Sequence, residues 1–283
     1  MRIATALCLL AAISGAVGCA AIPANRPIAE AVTPLDHLPA LRGDYFRFDS
    51  VETGRPYHIY VRYPEGYDPS AARLYPTVYL TDGDSLFPIL AANHLFLTYD
   101  DRLPEAIVVG IAYGGFDPSV NRRNIDFATV PHNGSPAGAP AFQAFLKTEL
   151  LPEIERRYRS DPAQRVLFGQ SLGGAFVLYS AVSDPDLFRG RIASNPSLIV
   201  GMEPLLESAA ASRTDLGLVV VSGTRDRPDR LEAIGRWQAA WEPRTDKPWR
   251  LDIYSLEGGT HAANAPDAYR LGMNRLFGPD ASP

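Results

Sequence analysis

The chain has 283 residues, 46% apolar and 21% charged, with a formal net charge of −5. These are the proportions of a folded domain with a sizeable core, and the acidic balance argues against the basic surface that nucleic-acid binding needs. Its two cysteines, Cys8 and Cys19, both precede residue 20, which excludes a cysteine nucleophile, a Cys-ligated metal or a disulfide in the rest of the chain.

Residues 3–17 form a short apolar run behind Arg2, with the length of an export signal rather than of a membrane-spanning helix. The run ends in Ala16-Val17-Gly18-Cys19, which resembles a bacterial lipobox. Residues 1–18 are therefore expected to be a signal peptide and Cys19 a lipidated N-terminus, the sole link to a membrane. Cleavage near Ala20 or Ala21 is the alternative. Either route implies export, to the periplasmic face of a bacterial membrane or into the space beyond it. Proline-rich residues 19–42 read as a flexible tether, and 43–283 as a single domain.

Within that domain, 45–48 and 57–63 read as a hairpin turning near Thr53-Gly54. Short apolar runs follow at 77–80, 106–112, 165–168, 191–193, 216–221 and 250–254, as buried parallel strands require. Between them, 141–158, 172–182, 203–212, 230–241 and 265–276 have helical character, with Pro152 a kink in the first. Such alternation predicts an α/β fold: a mostly parallel twisted sheet with helices on both faces, preceded by an antiparallel hairpin. In such sheets ligands bind beyond the carboxyl ends of the strands.

The strongest chemical signal is Gly169-Gln170-Ser171-Leu172-Gly173, which joins a predicted strand directly to a predicted helix. That is the context of a nucleophile elbow, whose turn exposes the serine hydroxyl and needs glycine where strand and helix pass closely. A glycine-rich turn with a capping serine is the bland counterpart. A serine hydroxyl needs a base. Of the five histidines, His261 alone follows the last predicted strand on a loop, Glu257-Gly258-Gly259-Thr260, and is expected to be that base. His37 lies in the tether, His132 in the Pro- and Gly-rich stretch 130–140, and His58 and His94 read as surface or packing residues. The acid that orients the imidazole is expected at Asp226, after the strand 216–221, with Asp229 and Glu232 as rivals; an Asx turn or helix cap is Asp226's other reading.

Two backbone N–H groups should face the developing oxyanion. Leu172 supplies one, and Gly83 or Asp84, on the loop 81–85, the other. Asp82-Gly83-Asp84 lacks the further ligands of a calcium loop, so neither metal nor cofactor is expected.

Together these residues resemble the putative-esterase family of α/β-hydrolases, the group of esterase D, enterochelin-type siderophore esterases, feruloyl esterases and mycolyltransferases. The resemblance spans about Tyr57 to Leu276. It rests on Leu80-Thr81-Asp82-Gly83, the elbow at Ser171, Asn195-Pro196-Ser197-Leu198, Gly223 to Asp226, and Gly259-Thr260-His261. It implies an α/β-hydrolase fold and a Ser171–Asp226–His261 site that cleaves a small-molecule carboxylic ester through an acyl-enzyme, with a siderophore-type lactone as a reasonable substrate. Asn121-Arg122-Arg123-Asn124 resembles the Arg-rich substrate-side loop of the siderophore branch, marking Arg122 and Arg123, beside Gln170, as substrate-side candidates. The chain departs from that branch at Ile199, where Trp is common, and at Gln170, where His is common. An acyltransferase on the same residues, or an exported lipoprotein that only binds a ligand, are the alternatives.

Overall fold

A computed structural model describes residues 28–29, 33–35, 38–208 and 210–278. The predicted signal peptide, Cys19 and His37 lie outside the described residues. One 10-stranded sheet runs in the order β1-β3-β4-β6-β5-β7-β8-β9-β10, with β2 paired to β3 off this path. From β6 (Ile107–Ala112) through β5 (Tyr75–Leu80), β7 (Ser160–Gln170), β8 (Gly190–Ser194), β9 (Gly217–Gly223) and β10 (Arg250–Leu256), every pairing is parallel. The predicted hairpin is β3 (Gly43–Ser50) and β4 (Arg55–Arg62), antiparallel to each other, with β4 also antiparallel to β6. Its turn is held from a distance: the buried Glu149 carboxylate accepts from Ser50 Oγ at 2.6 Å and from the Val51 N–H at 2.9 Å. Within the expected tether, β1 (Ile28–Ala29) and β2 (Thr33–Leu35) pair antiparallel with β3, so part of that stretch lies along the sheet.

Strands β5 and β6 are buried at every position, as expected of parallel strands covered on both faces. One face carries α3 (Ala139–Ala144), α4 (Leu151–Arg157), α5 (Leu172–Ser183) and α6 (Pro228–Trp241), packed through Phe142, Ile154, Phe176, Trp237 and Trp241. The other carries α1 (Gly83–Asp100) and α7 (Ala265–Phe277), packed through Phe87, Leu90, Tyr269 and Met273.

Three local expectations need correction. The stretch 81–85 is not a loop: α1 starts at Gly83, two residues after Thr81. A Cβ on Gly83 would lie 2.8 Å from the Gly110 carbonyl carbon, so only glycine lets the helix leave the strand this abruptly. Pro152 does not kink a continuous α-helix; a π-helical turn, Phe145–Leu150, separates α3 from α4. Proline cannot donate to the carbonyl four residues back and its ring crowds it, and the wider turn relieves both. A helix over 203–212 does not form beyond the 3₁₀ turn Glu203–Leu205. The carbonyls that would extend it are taken by side chains: Trp237 and Trp241 Nε1 donate to Leu205 O at 3.1 and 2.8 Å, and an Arg244 guanidinium nitrogen donates to Leu206 O at 3.1 Å.

Arg191, fully buried on β8, ties α5 to the sheet. Its guanidinium donates to the carbonyls of Ser180 (3.1 Å), Asp184 (2.7 Å), Pro185 (2.9 Å) and Phe188 (2.9 Å). Burial pulls its pKa down to about 9, against the opposing pull of Asp184 and Asp186. Arg191→Met would keep the bulk but take the guanidinium donors from all four carbonyls, of which those of Ser180 and Asp184 keep the N–H groups of Asp184 and Leu187 at 3.2 Å. The expected cost is about 3–5 kcal/mol, read as a lower urea midpoint.

His94, 0% exposed, joins α1 to α7. A carbonyl can only accept, so Nε2–H donates to Pro104 O (3.2 Å), and on the neutral ring Nδ1 accepts from Tyr269 OH (2.9 Å). Burial, aided by the charge of Arg62, lowers its pKa from 6.5 to about 4. The unfolded chain binds this proton more readily, so His94's contribution is fully present above pH 6.5 and is lost as pH falls toward 4. That loss amounts to about 3 kcal/mol. Denaturant titrations at pH 7 and pH 4 should show the stability gap between wild type and His94→Gln narrowing by that amount.

Candidate active site

The carboxyl ends of β5, β7, β8, β9 and β10 gather the chemistry at one edge of the sheet. Strand β7 ends at Gln170, and Ser171 follows with φ 59° and ψ −116° before α5 begins. The turn is possible because of its glycines: a Cβ on Gly169 would lie 2.2 Å from Gly173 O, and one on Gly173 2.4 Å from Thr81 Oγ1. Ser171's strained backbone is anchored by its N–H to Ser194 O at 3.0 Å and by its carbonyl to the Ser197 N–H at 2.9 Å. Five described non-glycine residues have positive φ, and three of them, Asp82, Ser171 and Asn195, sit at these strand ends. Strain gathered in one place marks a functional site.

Ser171 Oγ lies 2.9 Å from His261 Nε2, and His261 Nδ1 lies 2.6 Å from Asp226 Oδ2. A carboxylate can only accept, so Nδ1 carries the proton and Nε2 is left as an acceptor facing the hydroxyl. Asp226, on the turn after β9, is held at both oxygens. Oδ2 also takes Asn195 Nδ2 (3.0 Å), while Oδ1 takes the Arg227 N–H (2.7 Å) and the Arg230 guanidinium (3.4 Å). Burial opposes its ionisation, but the donors from His261, Asn195 and Arg227 outweigh it and hold the carboxyl below its ordinary range. Asp229 and Glu232 stand apart on α6, paired with Arg227 and Arg236.

Leu172 is the first residue of α5, and Gly83 and Asp84 are the first two of α1. The N–H groups of a first helical turn have no intrahelical carbonyl and carry the positive end of the helix dipole. Two helix N-termini thus flank the serine. The Asp84 carboxylate is turned away to accept the Tyr113 and Gly114 N–H groups at 2.7 and 2.8 Å.

A cavity of about 520 Å³ opens over Ser171 and His261, bounded by Asp82, Asp84, Asn121, Arg123, Gln170 and the 262–266 segment, with Ile89 and Phe116 at its mouth. Phe116 is 74% exposed. A smaller cavity of about 310 Å³ lies past Leu172, against Phe127, Thr129, His132, Ala175 and Ser197. Arg123 reaches the larger cavity but is bidentate to Asp82, at 2.7 and 3.0 Å. Burial opposes the Arg123 charge, and the Asp82 contact more than offsets it, raising its pKa. Arg122 is exposed and does not line the cavity. Gln170 lines it while its side-chain amide donates to the His261 carbonyl. His58 packs on Tyr45, whose hydroxyl is 2.7 Å from its Nδ1. Among the described residues no cluster of His, Cys, Asp and Glu could hold a metal ion.

Sequence reasoning missed the Asp82–Arg123 pair, Asn195 as a partner of Asp226, and Asn264 behind Asn195. The available signals for Asn195 were its place directly after a predicted strand and its share in the Asn195-Pro196-Ser197-Leu198 motif, neither of which tells its role.

A family model described as "Putative esterase" matches residues 50–270. Among curated proteins, the chain is 35% identical over 163 residues to the ferri-bacillibactin esterase BesA of Bacillus subtilis, covering 51% of this chain and 54% of that one. It is 29% identical over 175 residues to the apo-salmochelin esterase of Escherichia coli, covering 58% and 54%. The chain spans about half the length of these curated relatives. Among solved structures, the BES protein from Bacillus cereus superposes with a TM-score of 0.70 at 23% identity, over 82% of this chain and 94% of that one. Siderophore hydrolase EstB from Aspergillus nidulans does so with 0.69 at 20% identity, over 84% and 96%. At these identities the superpositions speak for the fold, that of the α/β-hydrolases.

Proposed function

The chain belongs to the putative esterase family, and from that premise we propose that it hydrolyses carboxylic esters through an acyl-enzyme on Ser171, with a siderophore-type lactone as substrate. The observation that carries the reading is the line of Ser171 Oγ, His261 Nε2, His261 Nδ1 and Asp226 Oδ2, at 2.9 and 2.6 Å. In this reading Ser171 Oγ attacks the ester carbonyl as Nε2 takes its proton, and Asp226 holds the ring and offsets the imidazolium charge. The Leu172 N–H and that of Gly83 or Asp84 meet the oxyanion. Collapse of the tetrahedral adduct breaks the C–O bond, and Nε2 returns the proton to the leaving alcohol. That alcohol lies in the larger cavity, on the His261 side, and the acyl part lies toward Leu172. Water activated by the same imidazole then releases the acid.

The substrate class rests on the curated relatives and on the larger cavity's character. Ile89 and Phe116 at its mouth suit an aryl-bearing molecule better than a small aliphatic ester. The test is a hydrolysis panel on the purified protein: a cyclic catecholate trilactone, linear catecholate esters, an aryl ester such as p-nitrophenyl acetate, and a triglyceride. A trilactone cleaved with kcat/KM at least tenfold above the simple esters supports the siderophore reading. Equal rates across the panel defeat it, and no ester turnover at all defeats the hydrolase reading. Cys19 lipidation and export also stand as proposals, tested by mass spectrometry of the protein from a bacterial membrane fraction.

A further inference from the structure

Asn195 follows β8 in a left-handed conformation, φ 41°, with its N–H pinned to Val221 O on the neighbouring strand at 2.7 Å. Asparagine tolerates this conformation better than other non-glycine residues. The conformation accompanies a side chain wholly buried at the end of the sheet. Its amide orientation is unambiguous. The Asp226 carboxylate can only accept, so Nδ2 faces it at 3.0 Å, and Oδ1 accepts from Asn264 Nδ2 at 2.9 Å. Asn264 is itself 2% exposed. It fits against Gly223 and Gly259, where an added Cβ would fall 2.4 and 2.5 Å from its side chain, so it has little freedom to turn.

These contacts close a ring. Asp226 accepts from His261; two residues of chain lead from His261 to Asn264; Asn264 donates to Asn195; and Asn195 donates to the same oxygen of Asp226 that His261 uses. The loop carrying the base and the turn carrying the acid are thereby joined twice, once directly and once through a neutral amide. With two donors on Oδ2, the carboxylate is fixed in rotation and stays ionised. Take Asn195 away, and only the imidazole, the group it must orient, holds that oxygen.

Resting on the proposed Ser171–His261–Asp226 site, we propose that Asn195, clamped by Asn264, is a positioning residue that acts through Asp226 on His261. It touches no substrate: neither asparagine lines either cavity at the site. Its contribution exists only while the carboxylate is present. A residue serving stability alone would matter equally with or without Asp226.

The experiment is a double-mutant cycle on the full chain with a fluorogenic umbelliferyl ester, rates normalised to sites titrated by a fluorophosphonate probe. The variants are Asn195→Gly, which suits the positive φ, Asp226→Ala, and the pair. Asn195→Gly should lower kcat about 10–100-fold with KM within about threefold, and should cost less than about threefold once Asp226 is gone. Should Asn195→Gly fold poorly, Asn264→Ala enters the same cycle, with a smaller loss in kcat and the same disappearance on the Asp226→Ala background. Equal losses on both backgrounds, or a change confined to KM, overturn the positioning role while leaving the site standing. Wild-type activity in Asp226→Ala alone would overturn the acid assignment, and the positioning role with it.

Discussion

Ser171→Ala should lower ester turnover about 10⁵-fold or more and abolish labelling by a fluorophosphonate probe, while leaving the unfolding midpoint almost unchanged. The two halves of this expectation have separate causes. Serine supplies the atom that bonds to the acyl group, and the hydroxyl's loss leaves only uncatalysed attack by water, aided by the oxyanion donors. Stability is spared because the side chain is partly exposed and its one hydrogen bond is to His261 at 2.9 Å. The backbone contacts of residue 171 to Ser194 and Ser197 survive the change. Turnover within tenfold of wild type would remove Ser171 from the chemistry.

Asp226→Asn should be nearly as damaging, lowering kcat about 10³–10⁴-fold. All four groups around the carboxylate are donors: His261 Nδ1 and Asn195 Nδ2 on Oδ2, and the Arg227 N–H and Arg230 guanidinium on Oδ1. An amide has one accepting oxygen, so in either orientation its NH₂ group meets donors. Turned toward His261, it drives the ring to the tautomer with the proton on Nε2, and the serine loses its base. Turned the other way, it confronts Arg227 and Arg230 and costs about 1–3 kcal/mol of stability. Measured kcat and the urea midpoint together tell the orientations apart. A kcat within about tenfold of wild type would show that the imidazole needs no ionised partner.

The neighbouring carboxylates show why sequence order alone left the acid open. Asp226, Asp229 and Glu232 all follow β9 within a few residues. What separates them is the path of the chain into α6, which turns Asp229 and Glu232 toward Arg227 and Arg236 and leaves Asp226 beneath His261. The Arg-rich loop divides in the same way: α2 (Arg123–Asp126) buries Asp126 against Tyr57 and Tyr113, which directs Arg123 to the cavity and Arg122 to solvent.

The sequence by itself determined the alternation of strands and helices, the parallel character of the sheet, and the elbow at Ser171. Those features are written in runs of about ten residues, through burial pattern and the need for glycine at a crowded turn. Only the tertiary structure decided that α1 starts at Gly83, that 203–212 is not a helix, and that Asp82 occupies Arg123. It alone decided that Asn195 holds Asp226 and that Asn264 holds Asn195. Each of these depends on partners 31 to 69 positions apart or on backbone crowding from a neighbouring strand. Such contacts follow from strand order, and local pattern does not carry them.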